Sequence, residues 1–291
     1  MMAWKDLLLA LVVIVAWGVN FVVIKLGLHG VPPMLLGALR FTLAAVPAVF
    51  LVPRPRIPWR MLLLYGATVL LAQFVFLFTA MQVGMPAGLA SLVLQAQAFF
   101  TLGFARVFLG ERVRAWNLLG LAIAAGGLAA IAAQGGGAMT TAGFALTLCA
   151  AAAWALGNIV TKRIGPVELV PLVVWGSVVP PLPFFALSLA FEGPARIEAA
   201  LASLSGVSVF AVVYLAFVAT LVGYGIWGRL LSRYPAAQVA PFSLLVPVVG
   251  IASSAFFLGE QMSAAEYLGA ALVMGGLVVN VFGGRLARRG T

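Results

Sequence analysis

The chain has 291 residues, 64% of them hydrophobic and 8% charged, and a mean hydropathy of +1.16. Soluble domains carry about 25% charged residues, so a water-soluble core is excluded. Seventeen Lys and Arg against seven Asp and Glu give a net charge of +10, but they fall in short loops between apolar runs rather than on one solvated face. That distribution argues against a nucleic-acid partner and for membrane orientation signals.

A bilayer core of about 30 Å takes roughly 20 apolar residues of helix. Ten such runs follow one another at 7–28, 34–52, 61–81, 86–108, 116–133, 140–161, 168–191, 206–228, 236–257 and 265–283. None alternates apolar and polar residues as the strands of a membrane barrel do. The first run, led by Lys5, has the look of a cleaved leader, yet its length and its counterpart in the second half predict that it is retained. The predicted fold is all-α and integral to the membrane, with ten transmembrane helices in a single domain over 1–291.

Phe108-Leu109-Gly110-Glu111 returns 149 positions later as Phe257-Leu258-Gly259-Glu260. At the same offset Pro86 falls on Pro235, and Gly120, Gly126, Gly127 and Leu128 fall on Gly269, Gly275, Gly276 and Leu277. Near the start of each half, Trp17, Asn20 and Lys25 recur as Trp154, Asn158 and Lys162. One unit is therefore written twice, at about 7–133 and 140–283. If the N-terminus is cytoplasmic, that side carries Lys5, Arg54, Arg56, Arg60, Arg106, Arg112, Arg114, Lys162, Arg163, Arg229, Arg233, Arg285, Arg288 and Arg289, and the other side only Lys25 and Arg196. Both termini are then cytoplasmic, and five spans per unit turn the second copy upside down. Lys25 and Glu260 fall on the external side, Lys162 and Glu111 on the cytoplasmic side. Two half-structures that exchange roles give inward-open and outward-open states of similar energy, an arrangement typical of secondary transporters. A channel is the alternative of a different class.

The stretch Trp17-Gly18-Val19-Asn20-Phe21 with Lys25, the Leu-Gly-Glu at 109–111 and 258–260, and the doubled ten-span plan resemble the EamA branch of the drug/metabolite transporter superfamily. The resemblance covers essentially the whole chain and is greatest to YddG-type amino acid exporters. It departs where Asn158 stands one place later after its Trp, and where Gln261 follows the second Glu in place of Arg. What it implies is an inner-membrane exporter of small organic metabolites, with aromatic or other apolar amino acids as the favoured substrates and cationic drugs or other metabolites as the alternative, and with helices 1 to 4 and 6 to 9 around a cavity and helices 5 and 10 outside it.

Polar side chains inside a membrane are costly, so they mark the candidate substrate site. Trp17 and Asn20 lie three apart, Trp154 and Asn158 four apart, and Ser91 and Gln95 share a helix face. Gln73 and Ser243 add polar atoms, while Phe74, Phe78, Tyr214 and Tyr224 supply aromatic surface that serves either core or pocket. Tyr65 is the repeat mate of Tyr214. Arg40 is the one permanent charge well inside a span, and either snorkels to the membrane surface or faces the cavity and holds a substrate carboxylate. Pro47, Pro180, Pro181, Pro183, Pro241 and Pro247 can kink their spans, with Pro241 and Pro247 the best gate candidates. Lys25 with Glu260, and Lys162 with Glu111, form either two symmetry-related ion-pair latches or local contacts at helix ends. Small residues in helices 5 and 10 suit either packing within the chain or a weak homodimer seam.

No enzyme chemistry is expected. Cys149 and His29 are each the only residue of their type, which leaves no disulfide, metal cluster or Ser-His-Asp set, and no cofactor. No Walker loop is present to use ATP. All seven acidic residues fall in loops or at helix ends, which predicts weak or absent proton coupling.

Overall fold

The computed structural model describes residues 2–134 and 139–287, and all regular structure in them is helical. Ten long helices follow the expected runs to within a few residues: α1 (Trp4–Gly30), α2 (Pro33–Val49), α3 (Trp59–Gln82), α4 (Ala87–Leu109), α5 (Ala115–Ala132), α6 (Thr141–Ile164), α7 (Leu169–Glu192), α8 (Gly206–Arg233), α9 (236–258) and α10 (Ala264–Ala287). All but α2 and the first turns of α9 lie in apolar stretches of 18 residues or more; α2 has 17. A short helix, Pro194–Ala202, joins α7 to α8 and has no counterpart in the expected runs.

Prolines open several of these helices, where a missing N–H costs nothing: Pro33 begins α2, and Pro58 and Pro86 immediately precede α3 and α4. The Leu-Gly-Glu repeat proves to be a helix stop. Gly110 and Gly259 take the left-handed conformation, at φ 68° and 66°, and the N–H of the following Glu reaches back to Ala105 and Ser254. A side chain at that φ would be strained, so glycine is required there.

The two units share their distortions as well as their sequence. A π-helical stretch over Gly66–Ala72 in α3 matches one over Tyr214–Val222 in α8, and a 3-10 stretch over Leu94–Ala96 in α4 matches one over Ala240–Leu245 in α9. Such departures mark hinges or functional sites in otherwise regular helices. Pro241 lies within the break in α9 and Pro247 just after it, but the break in α4 has no proline, so proline is not the common cause. In α7 the turn at 177–180 does coincide with Pro180 and Pro181.

Eight helices form two groups, each drawn from both units. α1 packs on α8 and α9, and α2 on α8; α6 packs on α3 and α4, and the first half of α7 touches α3 as well as α2 and α8. The groups meet most closely at the end remote from the termini, hereafter the far end, where the first half of α4 lies on α9 and the second half of α7 on α2. Every residue of Ala87–Val93 is buried, whereas in the second half of α4, Gln97–Leu109, only Phe99 and Ala105 are. At the end bearing the termini, Tyr234 donates to Asp6 at 2.7 Å and Arg233 stands 3.6 Å from it, tying α1 to the α8–α9 link.

α5 and α10 stand outside both groups and pack on each other. A Cβ on Gly120 would lie 2.6 Å from the Gly276 carbonyl oxygen, one on Gly127 2.6 Å from that of Gly269, and Asn117 donates to Asn280 at 2.6 Å. The small faces are thus used within one chain.

Candidate functional site

Between the two groups lies a cavity of about 290 Å³. All eight helices line it and neither α5 nor α10 does. It reaches toward the end that carries the termini, since Thr161 near the end of α6, Leu169 at the start of α7 and Leu231 near the end of α8 are in its wall. Binding pockets for drug-sized molecules run from about 300 to 1,000 Å³, so this one suits a small metabolite.

One wall is aromatic. Trp17 lies 5.2 Å from Tyr224 and 5.3 Å from Trp227, centroid to centroid, and its indole N–H donates to the Ala219 carbonyl at 3.0 Å. That bond also explains the closeness of α1 and α8, because a Cβ on Gly223 would collide with the Trp17 ring. The facing wall is built of amides: Asn158 donates to Gln97 at 2.9 Å and to Thr101 at 3.0 Å, beside Trp154. The 3-10 stretch in α4 brings Gln95 and Gln97, two apart, to one cavity, which a regular helix does not do.

Arg40 is 3% exposed and does not snorkel. Its guanidinium lies 4.1 Å from the Phe74 ring centroid and 5.1 Å from that of Phe41, and one terminal nitrogen donates to Thr220 at 3.1 Å. Cation–π contacts in a desolvated place contribute about 2 kcal/mol each at best, against roughly 2.5 to 3.5 kcal/mol for an arginine at mid-membrane. The Nε and the other terminal nitrogen have no partner, nor do Asn20 Oδ1 and Gln73 Oε1. Unpaired buried polar groups are rare in native proteins and call for an explanation. Arg40 is the one charged residue among those that line the cavity.

Of the sequence-based candidates, Trp17, Asn20, Arg40, Gln73, Ser91, Gln95, Trp154, Asn158, Tyr224 and Ser243 lie in the wall. Phe78 and Tyr214 do not. Phe78 is fully buried in the core, and Tyr214 donates to the Ala16 carbonyl at 2.9 Å. The inverted repeat gives the reason. Repeat mates sit at opposite ends of the bundle, and the cavity reaches only one: Tyr65 lines it where its mate Tyr214 is sealed away, and Trp227 lines it where its mate Phe78 is. Trp227, three residues after Tyr224, could have been found from helical spacing; Gln97 could not, because its direction depends on the 3-10 turn.

At the far end the cavity is sealed. Glu192, closing α7, accepts the N–H groups of Met34 and Leu35 at 2.6 and 3.1 Å, and Glu260 accepts those of Ala87 and Gly88 at 2.8 and 2.9 Å. Free N–H groups and the helix dipole make these sites favourable for carboxylates. Lys25 donates to the Met81 carbonyl at 2.9 Å, so of the two arrangements the sequence allows at this end, the structure has local contacts rather than a Lys25–Glu260 ion pair. At the other end Lys162 and Glu111 do pair, at 2.9 Å, with both side chains about half exposed.

A polytopic helical bundle with an inverted repeat, a cavity at its centre and a seal at one end has the build of a secondary transporter. The comparison with known sequences makes this specific: the EamA-like transporter family matches over residues 4–133 and 141–282, and the chain belongs to that family. It is 50% identical over 288 residues to a probable amino-acid metabolite efflux pump of Escherichia coli (strain K12), covering 97% of this chain and 96% of that one. It is 30% identical to a probable terminal-alkyne amino-acid exporter of Streptantibioticus cattleyicolor, covering 91% and 90%. A solved crystal structure of a protein 22% identical shares the fold, with a TM-score of 0.64 over 99% of both chains.

Proposed function

We propose that the protein exports amino-acid metabolites across the inner membrane by alternating access, and that both termini are cytoplasmic. Orientation follows from the Lys and Arg residues concentrated at the end bearing the termini. The cavity then faces the cytoplasm, where an exporter loads its cargo.

One observation carries the choice of substrate: a buried guanidinium with two unpaired N–H-bearing nitrogens and no carboxylate among the residues lining its cavity. A substrate carboxylate supplies the missing partner. The unpaired carbonyl oxygens of Asn20 and Gln73 suit an α-ammonium group, and the Trp17, Tyr224 and Trp227 rings suit an apolar or aromatic side chain. Cationic drugs fit worse, because Arg40 repels them. The names of the two relatives above support the same reading.

Hydrogen bonds to charged groups are worth about 1.5 to 3 kcal/mol, so Arg40→Gln should weaken binding of a substrate amino acid about tenfold to a hundredfold. Binding of its methyl ester, measured in the same detergent-solubilised protein, should change little. Equal losses for acid and ester would mean that Arg40 does not hold a carboxylate.

A further inference from the structure

The two Lys and Glu pairs, related by the repeat, are found in different arrangements in the same molecule. At the sealed far end Glu260 bonds the backbone of Ala87 and Gly88 in α4, and Lys25 bonds the Met81 carbonyl in α3. Both bonds cross from the group of α1, α2, α8 and α9 to the group of α3, α4 and α6. At the open end Glu111 bonds Lys162 at 2.9 and 3.0 Å, and this contact stays inside one group, between the end of α4 and α6. The mates of Ala87, Gly88 and Met81 at the 149 offset are Ala236, Ala237 and Leu230.

We propose that each carboxylate and lysine exchange partners during transport. Where an end is closed, the Glu holds the first turn of the helix across the cavity and the Lys holds a carbonyl across it. Where an end is open, the two are released and bond each other within their own group. In the outward-open protein Glu260 therefore pairs with Lys25, Glu111 takes the backbone N–H groups at 236 and 237, and Lys162 takes the Leu230 carbonyl. Neither state then leaves a charge without a partner at either end, which keeps the two conformations close in energy. The arrangement is the reverse of a latch in which the ion pair itself shuts an end.

The inference rests on the alternating-access reading, and a charge exchange tests it. In a Cys149→Ser background, Ser91→Cys serves as reporter: Ser91 is 1% exposed, packs where a Cβ on Gly250 would overlap it, and lines the cavity. An impermeant thiol reagent is applied from outside to whole cells and from inside to inverted vesicles. In the double variant Lys25→Glu with Glu260→Lys, the ion pair of the open end is restored, but a lysine at 260 cannot hold the N-terminus of α4. Outside labelling should rise about fivefold and inside labelling should fall. Glu111→Lys with Lys162→Glu, placed where both side chains are half exposed and substitutions are tolerated, should shift the reporter the opposite way. Wild-type labelling ratios in both double variants would mean that the ion pairs act as latches, and would overturn the exchange while leaving alternating access intact. A reporter that reacts only from inside, in every variant and at saturating substrate, would overturn alternating access itself.

Discussion

Arg40 is held in place by contacts that cost little to make and leave its reactive edge unused. Two rings and one hydroxyl account for part of the guanidinium, and the remaining nitrogens wait for a partner that the protein does not supply. Its depth was legible in the sequence, since a charge inside an apolar run is visible by counting. Its direction was not, because that depends on which neighbours α2 turns toward, and Phe74 and Thr220 lie 34 and 180 residues further along the chain. The Trp and Asn pairs were easier to read, being at helical spacing in both units. Trp17 packs at a tilt against Tyr224 and Trp227, and aromatic pairs add about 0.5 to 1.5 kcal/mol beyond burial. Trp17→Ala should therefore weaken binding of an aromatic amino acid about threefold to tenfold. Isothermal titration with an aromatic and a small aliphatic amino acid checks this: the aliphatic one should be affected less, and unchanged affinity for both would remove Trp17 from the site.

At the level of helices, the repeated Leu-Gly-Glu combines a stop with a handle. Gly110 and Gly259 end α4 and α9 in the left-handed conformation, and each places the next residue, a Glu, just beyond the helix end. The sequence repeat was enough to pair these segments, but not to show that their glutamates hold different partners, since that difference belongs to the conformational state and not to the residues. The same holds for Phe78 and Tyr214, whose mates Trp227 and Tyr65 occupy the cavity in their stead. The π and 3-10 stretches were equally invisible, having no composition of their own. The seam of α5 and α10 was partly legible: glycines and alanines at close spacing announced a tight helix contact, but not with which helix. Because the Gly120 position abuts backbone of α10, Gly120→Ala should destabilise the protein by about 1 to 3 kcal/mol. Thermal unfolding in detergent should show a lower midpoint with substrate affinity unchanged, as α5 does not touch the cavity. An unchanged midpoint would mean that the seam is loose.

For the whole molecule, the inverted repeat supplies two ends that can each close, and this structure has closed the one remote from the termini. The residues that do so are small and matched: a Cβ on Gly250 would overlap Ser91, and a Cβ on Gly88 would overlap Ser254. Their repeat mates are Thr101 with Ala240, and Ala237 with Ala105, in which threonine or alanine stands in place of each glycine. Two of the carboxylates outside the cavity, Glu192 and Glu260, cap α2 and α4 at the sealed end, and none of the described carboxylates lines the cavity. The coupling proposed is therefore weak or absent proton coupling, with net flux set by the substrate gradient. The central claim is that one cavity opens alternately to either side, and counterflow in proteoliposomes tests it most directly. Vesicles preloaded with an unlabelled apolar or aromatic amino acid should take up the labelled form faster than empty vesicles, with a rate that saturates as the outside concentration rises. Uptake that ignores the internal amino acid and climbs without saturation would contradict alternating access and indicate a channel.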